Sequence, residues 1–210
     1  MRIIEPSFTI LTDVNEAEIV RRIERAARVC YKSEDMITDD SAPDFVRRII
    51  KSGHESVIEH ESVSVLVVCD RGVSHEWVRH RIASYSQEST RYCNYGKDKF
   101  GGEIAFIKPR FWNEDGEQYR IWLDAMRKAE DAYLALLRLG ASPQQARGVL
   151  PNSLKTELVV TMNLREWRHF FRLRVDKSAH PQMRELAKPM LAEFKRLLPC
   201  VFGDIFPAVG

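Results

Sequence analysis

Apolar residues recur at helical spacing in several parts of the chain. Ile19, Ile23 and Ala27 stand four residues apart, which predicts an amphipathic helix. Asn15 and Glu18 form an N-x-x-E capping pattern, so this helix is expected to begin there. Comparable patterns, caps and helix-ending glycines predict further helices, over about residues 41–53, 74–83, 117–139, 142–150, 164–174 and 181–198.

Other segments alternate apolar and polar residues with the period of two that strands show. Val63, Val65 and Val67 share one face of a predicted strand, and residues 154–162 alternate in the same way. A third strand is expected within residues 101–109. Because helices and strands are segregated rather than strictly alternating, the predicted class is α+β. We expect a mixed sheet with helices, forming a single domain over residues 1–210 with helical additions.

The overall charge of the chain is nearly balanced. It has 32 Lys and Arg against 30 Asp and Glu, so attraction of the whole chain to nucleic acid or to an anionic membrane is weak. With 210 residues, 44% of them hydrophobic, the chain can bury a substantial core. Its apolar runs stay well short of the roughly 20 residues that span a bilayer. A cytoplasmic protein that binds neither membrane nor nucleic acid is expected.

The cysteines do not form a recognisable site. Cys30, Cys69, Cys93 and Cys200 are scattered along the chain without a C-x-x-C pair. Free cysteine is commonly buried and inert. We therefore interpret all of these residues as reduced thiols, and Cys200 in the segment LPCVF as a structural residue.

Positive charge is concentrated between residues 79 and 91. Arg79, Arg81 and Arg91 are interleaved there with serine and threonine hydroxyls. Guanidinium groups bind phosphate through paired hydrogen bonds, and hydroxyls and loop N–H groups satisfy its remaining lone pairs. A polar, turn-like connection that binds a phosphorylated ligand is one interpretation, and a solvated basic loop is an equally good one from charge alone. The glycines form neither a G-x-G-x-x-G nor a P-loop motif.

Two further segments contain side chains that are suited to a site. In GHESVIEHE, six residues of helix would place His54 and His60 about 120° apart, so no metal is expected, although a metal hydrolase remains a rival function. In NLREWRHFFRLR, Arg165, His169 and Arg172 recur at helical offsets. They either line a site or are solvated side chains of an amphipathic core helix.

A nucleic-acid-binding module is the rival from another functional class. Arginines of the segment 79–91 would contact backbone phosphates, and three tyrosines would stack on bases: Tyr85, Tyr92 and Tyr95. The net charge of only +2 argues against this function.

Several motifs of the chain occur in the same order in a known enzyme family. Arg79, His80 and Arg81 form R-H-R. Ser89 follows after seven residues and completes R-H-R-x7-S, and Arg91 completes S-x-R. GHESVIEH, ARGVLP and NLREWRHFFRLR resemble the family's upstream G-H-E segment, central arginine segment and carboxy-terminal site helix. On these residues the chain resembles the flavin-dependent thymidylate synthases over nearly its whole length.

The resemblance implies a reaction and its cofactors. The family makes dTMP from dUMP, takes the added carbon from methylenetetrahydrofolate, and takes the reducing hydride from NAD(P)H through bound FAD. The expected partners are therefore dUMP and folate. A homotetramer with active sites shared between subunits is also implied, and no enzyme thiol is needed in the family's mechanism.

The resemblance further implies which residues serve each ligand. The positions expected to contact FAD are Ser56, Arg79, His80, Arg81, Asn163, Arg165 and His169. The positions expected to contact dUMP are Glu76, Arg79, Gln87, Glu88, Ser89, Thr90, Arg91, Arg147 and Arg174. Catalytic positions are implied at Arg174 beside the uracil ring, at His54 beside flavin and folate, and at Ser89.

Physical chemistry supports two of these roles. Methylation of uracil at C5 needs electron density at that carbon, and the permanent charge of Arg174 can stabilise an N3-deprotonated, enolate-like ring. For Ser89 the sequence assigns no neighbouring base, so we interpret it as a residue that positions phosphate rather than as a nucleophile.

Overall fold

The structure is a computed structural model that describes residues 1–97 and 101–206. Its strands are β1 (Arg2–Ile4), β2 (Ser7–Ile10), β3 (Ser62–Asp70), β4 (Ala83–Gln87), β5 (Ala105–Ile107) and β6 (Lys155–Asn163). Its α-helices are α1 (Glu16–Val29), α2 (Ser41–Lys51), α3 (Arg71–Trp77), α4 (Glu117–Arg138), α5 (Pro143–Ala146), α6 (Leu164–Arg174), α7 (Pro181–Leu197) and α8 (Pro199–Phe202). Short 3₁₀ helices lie at Glu34–Met36, Glu55–His60 and Arg147–Val149.

The strands form two sheets. In the smaller sheet β1 pairs parallel with β5, and Ile3 lies opposite Phe106. The larger sheet has the strand order β2–β3–β6–β4, so strands that are distant in sequence are neighbours in space. Helices and strands do not alternate regularly along the chain, and the predicted α+β class is confirmed.

The described residues fall into two compact units. The first unit takes them from the ranges 1–7, 67–79 and 86–158, and the second from the ranges 8–66, 80–85 and 159–210. Four of the five boundaries fall inside strands β2, β3, β4 and β6, and the fifth falls between Arg79 and His80. A single domain over the whole chain stays a prediction.

The core of the first unit is built around α4. Tyr119, Trp122, Met126 and Tyr133 recur at helical spacing and are buried, so one face of α4 enters the core. They belong to the same buried cluster as Phe106 of β5. This packing also anchors the segment that follows β4, because Tyr95 of that segment is a member of the cluster.

The core of the second unit is built around α6. Trp167, Phe170 and Phe171 are fully buried, and the rings of Trp167 and Phe171 each lie 5.0 Å from the ring of Phe194 in α7. Phe202 of α8 packs edge-on against Phe194 at 5.1 Å. These aromatic contacts set the rotation of α6 about its axis, and they thereby decide which of its polar side chains face solvent.

The predicted strand faces and helix caps are confirmed. Val63, Val65 and Val67 are buried along β3. Asn15 Oδ1 accepts the N–H of Glu18 at 3.3 Å at the start of α1. Asn163 caps α6 in the same way, at 2.8 Å from the N–H of Glu166. The last long helix, α7, lies at the predicted position and contains Pro189 in its interior.

The prediction of a turn-like connection is wrong for residues 83–87, which form strand β4. Tyr85 and Gln87 are half-buried whereas Ser84 and Ser86 are exposed, so the segment does have a period of two. The alternation of apolar and polar residues does not reveal this strand, because its inward-facing residues are themselves partly polar.

The helix predicted over residues 74–83 also lies elsewhere, at Arg71–Trp77. Asp70 starts it early, because its Oδ1 accepts the N–H of Val73 at 2.6 Å. Sequence reasoning did not predict the short strands β1 and β2, whose few residues carry little periodicity.

Candidate active site

The loop after β4, residues 88–93, is the first candidate binding element, and we call it the Ser89 loop. The backbone N–H groups of Tyr92 and Cys93 donate to the carbonyl oxygen of Ser89, at 3.1 and 2.9 Å. Ser89 Oγ accepts the N–H of Arg91 at 3.3 Å. The Ser89 hydroxyl therefore shapes the turn, and its role in positioning phosphate stays a prediction.

Two arginines beside this loop are held by uncharged groups. Arg91 Nε donates to Gln144 Oε1 at 2.8 Å, and Arg147 Nη1 donates to Thr90 Oγ1 at 3.2 Å. Both arginines are exposed, and neither forms an ion pair with any residue that the structure describes. Their positive charges are thus not neutralised within the first unit, which suits them to bind an anion.

Glu88 and Gln87 hold the Ser89 loop in place. Glu88 accepts hydrogen bonds from Tyr95 Oη at 2.9 Å and from Lys155 Nζ at 3.0 Å. Burial, and secondarily the Glu88 carboxylate, raises the pKa of Tyr95, so its phenol stays protonated and donates.

Gln87 Nε2 donates to Ser74 Oγ at 3.0 Å and to Thr156 Oγ1 at 3.2 Å. The side chains of Gln87 and Glu88 are therefore engaged with neighbours that anchor the loop, although the resemblance assigns both residues to dUMP.

Residues 78–82 connect α3 to β4 and contain the R-H-R triplet. Glu76 is half-buried, and its carbonyl oxygen accepts the N–H of Arg79 at 3.4 Å. Arg79 and Arg81 are exposed, and their guanidinium groups form no ion pair within the part of the chain that the structure describes. His80, between them, is 4% exposed.

His80 lies at the centre of a polar cluster in the second unit. Its Nδ1 is 3.2 Å from Glu166 Oε1, and its Nε2 is 3.0 Å from Arg174 Nε. The ring packs edge-on against Phe170 at 5.0 Å and against His169 at 5.8 Å. Burial, and secondarily the positive charge of Arg174 and the nearby His169, lowers the pKa of His80 to about 4, so the ring is neutral at pH 7.

A cavity of about 460 Å³ lies beside α6 in the same unit. Its walls are mainly polar, and the residues that line it are Glu55, Glu59, Ile82, Asn163, Arg165, Glu166, His169 and Arg172. Asn163, Arg165 and His169, which the resemblance assigns to FAD, are thus brought together on one cavity.

Carboxylates neutralise most of the arginines along α6. Arg165 pairs with Glu59 at 2.5 Å. Arg168 and Arg172 both pair with Glu55, at 3.0 and 2.9 Å. These two arginines hold the pKa of Glu55 below its usual range, although burial opposes the shift. Sequence reasoning missed these partners, because Glu55 and Glu59 are more than 100 residues away from α6 along the chain.

His54 and Ser56 lie on a different cavity of the second unit. This cavity has a volume of about 240 Å³, and its other lining residues are Ala27, Cys30, Tyr31, Phe45, Ile49 and Val57. The structure therefore does not bring His54 or Ser56 together with Asn163 and His169 on one cavity.

The metal alternative at His54 and His60 gains no support from the geometry. Among the described residues, a group of three side chains suited to hold a metal consists of His80, Glu166 and His169, with ligand atoms within 4.8 Å of one another. His54 precedes the 3₁₀ helix that ends at His60, and neither histidine belongs to such a group.

The thiols show no sign of activation. Cys69 and Cys200 are buried. Burial raises the pKa of Cys200 to about 11, with a smaller effect of the Glu16 side chain, and burial also raises the pKa of Cys69. The interpretation of Cys200 as a structural residue agrees with these surroundings.

In residues 1–97 and 101–206, every helix is too short or too polar to cross a bilayer.

Comparison with known proteins identifies the family. The profile described as thymidylate synthase complementing protein matches residues 11–200. A flavin-dependent thymidylate synthase of Geobacter sulfurreducens is 39% identical over 189 residues, which cover 87% of this chain and 80% of that protein. This chain belongs to the flavin-dependent thymidylate synthases. The family inferred from the R-H-R-x7-S motif is thereby confirmed.

A further family member and a solved structure are also similar to this chain. The enzyme of the same description from Pyrococcus abyssi is 37% identical over 178 residues, which cover 81% of this chain and 72% of that one. A crystal structure of the UMP/dUMP methylase PolB from Streptomyces cacaoi, bound with 5-Br dUMP, superposes with a TM-score of 0.79. It covers 97% of this chain and 96% of its own at 26% identity, so the fold is shared over nearly the whole length.

Proposed function

We propose that the protein converts dUMP to dTMP, with methylenetetrahydrofolate as carbon donor and NAD(P)H as reductant acting through bound FAD. Membership of the flavin-dependent thymidylate synthases supports the reaction class. The observation that carries the proposal is the arrangement of Arg91 and Arg147, whose charges beside the Ser89 loop are met by uncharged partners.

The phosphate of dUMP is the anion we assign to this loop. Arg91 and Arg147 would supply charge-assisted hydrogen bonds, and Ser89 and Thr90 would add hydroxyl groups. Glu88 and Gln87 shape the loop rather than bind the phosphate. The Glu88 carboxylate would repel phosphate, and the Gln87 amide already donates to Ser74 and Thr156.

Arg174 is the residue we assign to the uracil ring. Its guanidinium carries a permanent charge and a planar fork of donors, which can meet a ring oxygen and nitrogen together. Such a group stabilises negative charge that develops on the pyrimidine during methylation at C5. The hydrogen bond from Arg174 Nε to His80 holds the guanidinium in one orientation.

The residues present fit FAD by the chemistry of their donors. Arg79 and Arg81 are exposed cations without ion pairs to described residues, which suits them to a pyrophosphate group. Asn163 and His169 line a polar cavity with hydrogen-bonding side chains. When bound, FAD would take the hydride from NAD(P)H and supply the reducing equivalents for the new methyl group.

We also propose the homotetramer with shared active sites, because three ligands need more lining surface than one chain of 210 residues readily offers. Light scattering of the purified protein tests the assembly. A mass of one subunit, unchanged by FAD, would contradict it.

The nucleic-acid-binding alternative loses support from the surroundings of its tyrosines. Tyr95 is 5% exposed and donates its hydroxyl to Glu88, and Tyr85 donates its hydroxyl to the carbonyl oxygen of His80 at 2.8 Å. Of the three tyrosines proposed to stack on bases, Tyr92 is exposed, at 78%. One exposed ring does not form the stacking platform that this function requires.

The experiment that tests the proposal combines an absorbance spectrum with a product assay. Purified protein is expected to bind FAD non-covalently and to release it on denaturation with the AMP moiety intact. With dUMP, methylenetetrahydrofolate and NADPH, the loaded protein is expected to form dTMP, and leaving out any one component is expected to stop product formation. A protein that neither contains flavin nor takes up added FAD would contradict the assignment.

A further inference from the structure

A line of hydrogen bonds joins Glu166, His80 and Arg174 in the second unit. His80 Nδ1 lies 3.2 Å from Glu166 Oε1, and Arg174 Nε lies 3.0 Å from His80 Nε2. Glu166 is in the first turn of α6 and Arg174 is its last residue, so the two are about 12 Å apart along the helix axis. The imidazole of His80, which comes from outside α6, therefore bridges the two ends of this helix.

These contacts select one form of the His80 ring. Arg174 Nε always carries a hydrogen, so the Nε2 atom of His80 has to accept it. A neutral imidazole has a single N–H, which must then be on Nδ1 and is donated to the Glu166 carboxylate. A second hydrogen, on Nε2, would point at the N–H of Arg174. Burial of the ring, which is 4% exposed, also favours the neutral form.

Packing holds the ring in this position. Phe170 contacts it edge-on at 5.0 Å between centroids, and His169 does so at 5.8 Å. The hydroxyl of Tyr85 donates to the backbone carbonyl of His80 at 2.8 Å. The side chain and the backbone of His80 are both restrained, so its Nε2 atom is a fixed acceptor.

We propose that Glu166 and His80 are positioning residues for Arg174, an inference that rests on the proposed function. Glu166 keeps His80 in the Nδ1-protonated form, and His80 then anchors Nε of Arg174. Because the guanidinium group is planar, anchoring Nε restricts the directions of its terminal amino groups. The pyrimidine thus meets a guanidinium that is oriented before the substrate arrives, which is the arrangement that gives electrostatic stabilisation most of its effect.

Metal binding by the same side chains is the competing interpretation. The ligand atoms of His80, Glu166 and His169 lie within 4.8 Å of one another. However, the lone pair of His80 Nε2 already accepts the N–H of Arg174, and the adjacent guanidinium repels a cation. The hydrogen-bonded arrangement therefore favours the positioning role.

The first test measures the tautomer of His80 directly, without turnover. Purified protein labelled with ¹⁵N-histidine is examined by NMR at pH 7.5, and His80→Gln identifies the His80 signals. The parent is expected to carry the hydrogen on Nδ1. Glu166→Ala removes the acceptor and is expected to shift the population toward the Nε2-protonated tautomer.

Glu59→Gln is the matched control for this measurement. Glu59 lines the same cavity as Glu166 but pairs with Arg165, so the tautomer of His80 is expected to stay as in the parent. A parent that is Nε2-protonated or doubly protonated, a Glu166→Ala protein with unchanged tautomer, or changed His80 signals on adding Zn²⁺ alone would overturn the proposal.

The second test separates positioning from folding. In FAD-loaded protein, Glu166→Ala is expected to lower kcat for dTMP formation by roughly tenfold while flavin content stays that of the parent. Glu166→Gln is expected to recover part of this loss, because its amide oxygen can still accept the Nδ1 hydrogen. Unchanged kcat in Glu166→Ala would overturn the positioning role. A parent that forms no dTMP would refute the proposed function, whereas the NMR result would still decide the hydrogen-bond arrangement.

Discussion

The Ser89 loop and helix α6 are both rich in arginine, but they hold their guanidinium groups in different ways. Beside the loop, Arg91 and Arg147 contact an amide oxygen and a hydroxyl. Along α6, Arg165, Arg168 and Arg172 each pair with a carboxylate. Two positive charges beside the loop are therefore not neutralised by carboxylates, whereas most of the positive charges of α6 are.

This difference shows why the number of arginines in a segment does not measure its ability to bind anions. An arginine paired with a carboxylate is already neutralised, and a ligand phosphate would have to displace that partner. An arginine held by an uncharged group keeps its charge and gains a fixed orientation. On α6, the Nε atom of Arg174 donates to a neutral histidine, His80.

The largest effect that distinguishes the two kinds of arginine is expected in stability, at Arg168. This side chain is fully buried, pairs with Glu55 and Asp204, and donates to the carbonyl oxygen of Val201. Arg168→Met leaves both carboxylates and that carbonyl without their buried donor, so the free energy of unfolding is expected to fall by about 3 kcal/mol or more.

Arg172→Met is the matched control for Arg168→Met. Arg172 also pairs with Glu55, but it is exposed, so an expected loss under about 1 kcal/mol follows from solvent screening. Urea titrations of both variants measure the difference. If both variants lost the same free energy of unfolding, the contribution of an arginine–carboxylate pair on α6 would not depend on its burial.

The next effect is a pH dependence of stability that arises from His80. Its pKa is lowered from 6.5 to about 4 in the folded protein. Between pH 4 and 6.5, His80 therefore binds a proton more readily in the unfolded chain than in the folded protein. Stability is therefore expected to fall by up to about 3 kcal/mol as the pH decreases from 6.5 to 4, and to show no further change from this group below that range.

The control for the pH effect is His80→Gln, which does not titrate. Chemical denaturation at several pH values is expected to give a flatter profile for this variant than for the parent between pH 4 and 6.5. If the free energy of unfolding of His80→Gln changed with pH as it does in the parent, the pH dependence would have to come from other groups.

Replacing Arg174 by lysine keeps the positive charge and removes the planar guanidinium, so it tests whether the shape of the group matters. Arg174→Lys is expected to retain FAD and assembly but to form dTMP at least roughly tenfold more slowly, because an ammonium cannot contact His80 and present a planar fork at once. A dUMP analogue already lacking the N3 proton is expected to narrow this gap. Parental turnover of Arg174→Lys at saturating dUMP would move the uracil-activating role to another residue.

The smallest effect is expected at the exposed pair of Arg165 and Glu59. The Glu59 carboxylate raises the pKa of Arg165, but both side chains are about half exposed. Glu59→Gln is therefore expected to change the free energy of unfolding by less than about 1 kcal/mol. A loss as large as that of Arg168→Met would contradict the ranking by burial.

The sequence predicted most of the regular structure because its signals are local. The caps at Asn15 and Asn163 act over three residues, and the alternation of Val63, Val65 and Val67 appears within one strand. Strand β4 was not predicted, because it is short and its half-buried face combines Ala83 and Tyr85 with the polar Gln87.

The motifs also predicted the family and named both arginine-rich regions, but not the partners within them. The pairing of Arg168 with Glu55 joins residues 113 positions apart, and that of His80 with Glu166 joins residues 86 positions apart. No local pattern encodes such contacts, since they depend on how the 3₁₀ helix Glu55–His60, α6 and the segment before β4 pack. The resemblance placed Ser56 and His54 with the flavin residues, whereas the structure gives them a cavity of their own.

The central claim is that Arg91 and Arg147, whose partners are uncharged, bind the phosphate of dUMP. Calorimetric titration of dUMP into parent, Arg147→Ala, Arg91→Ala and Arg172→Ala proteins tests it most directly, with deoxyuridine as the ligand that lacks phosphate. We predict that Arg147→Ala and Arg91→Ala each weaken dUMP binding by about tenfold to a hundredfold, the equivalent of one charge-assisted contact, with flavin content unchanged. Arg172→Ala is predicted to bind dUMP like the parent, and deoxyuridine is predicted to bind all four proteins alike. Parental dUMP affinity in Arg147→Ala and Arg91→Ala, or an equal loss in Arg172→Ala, would contradict the account.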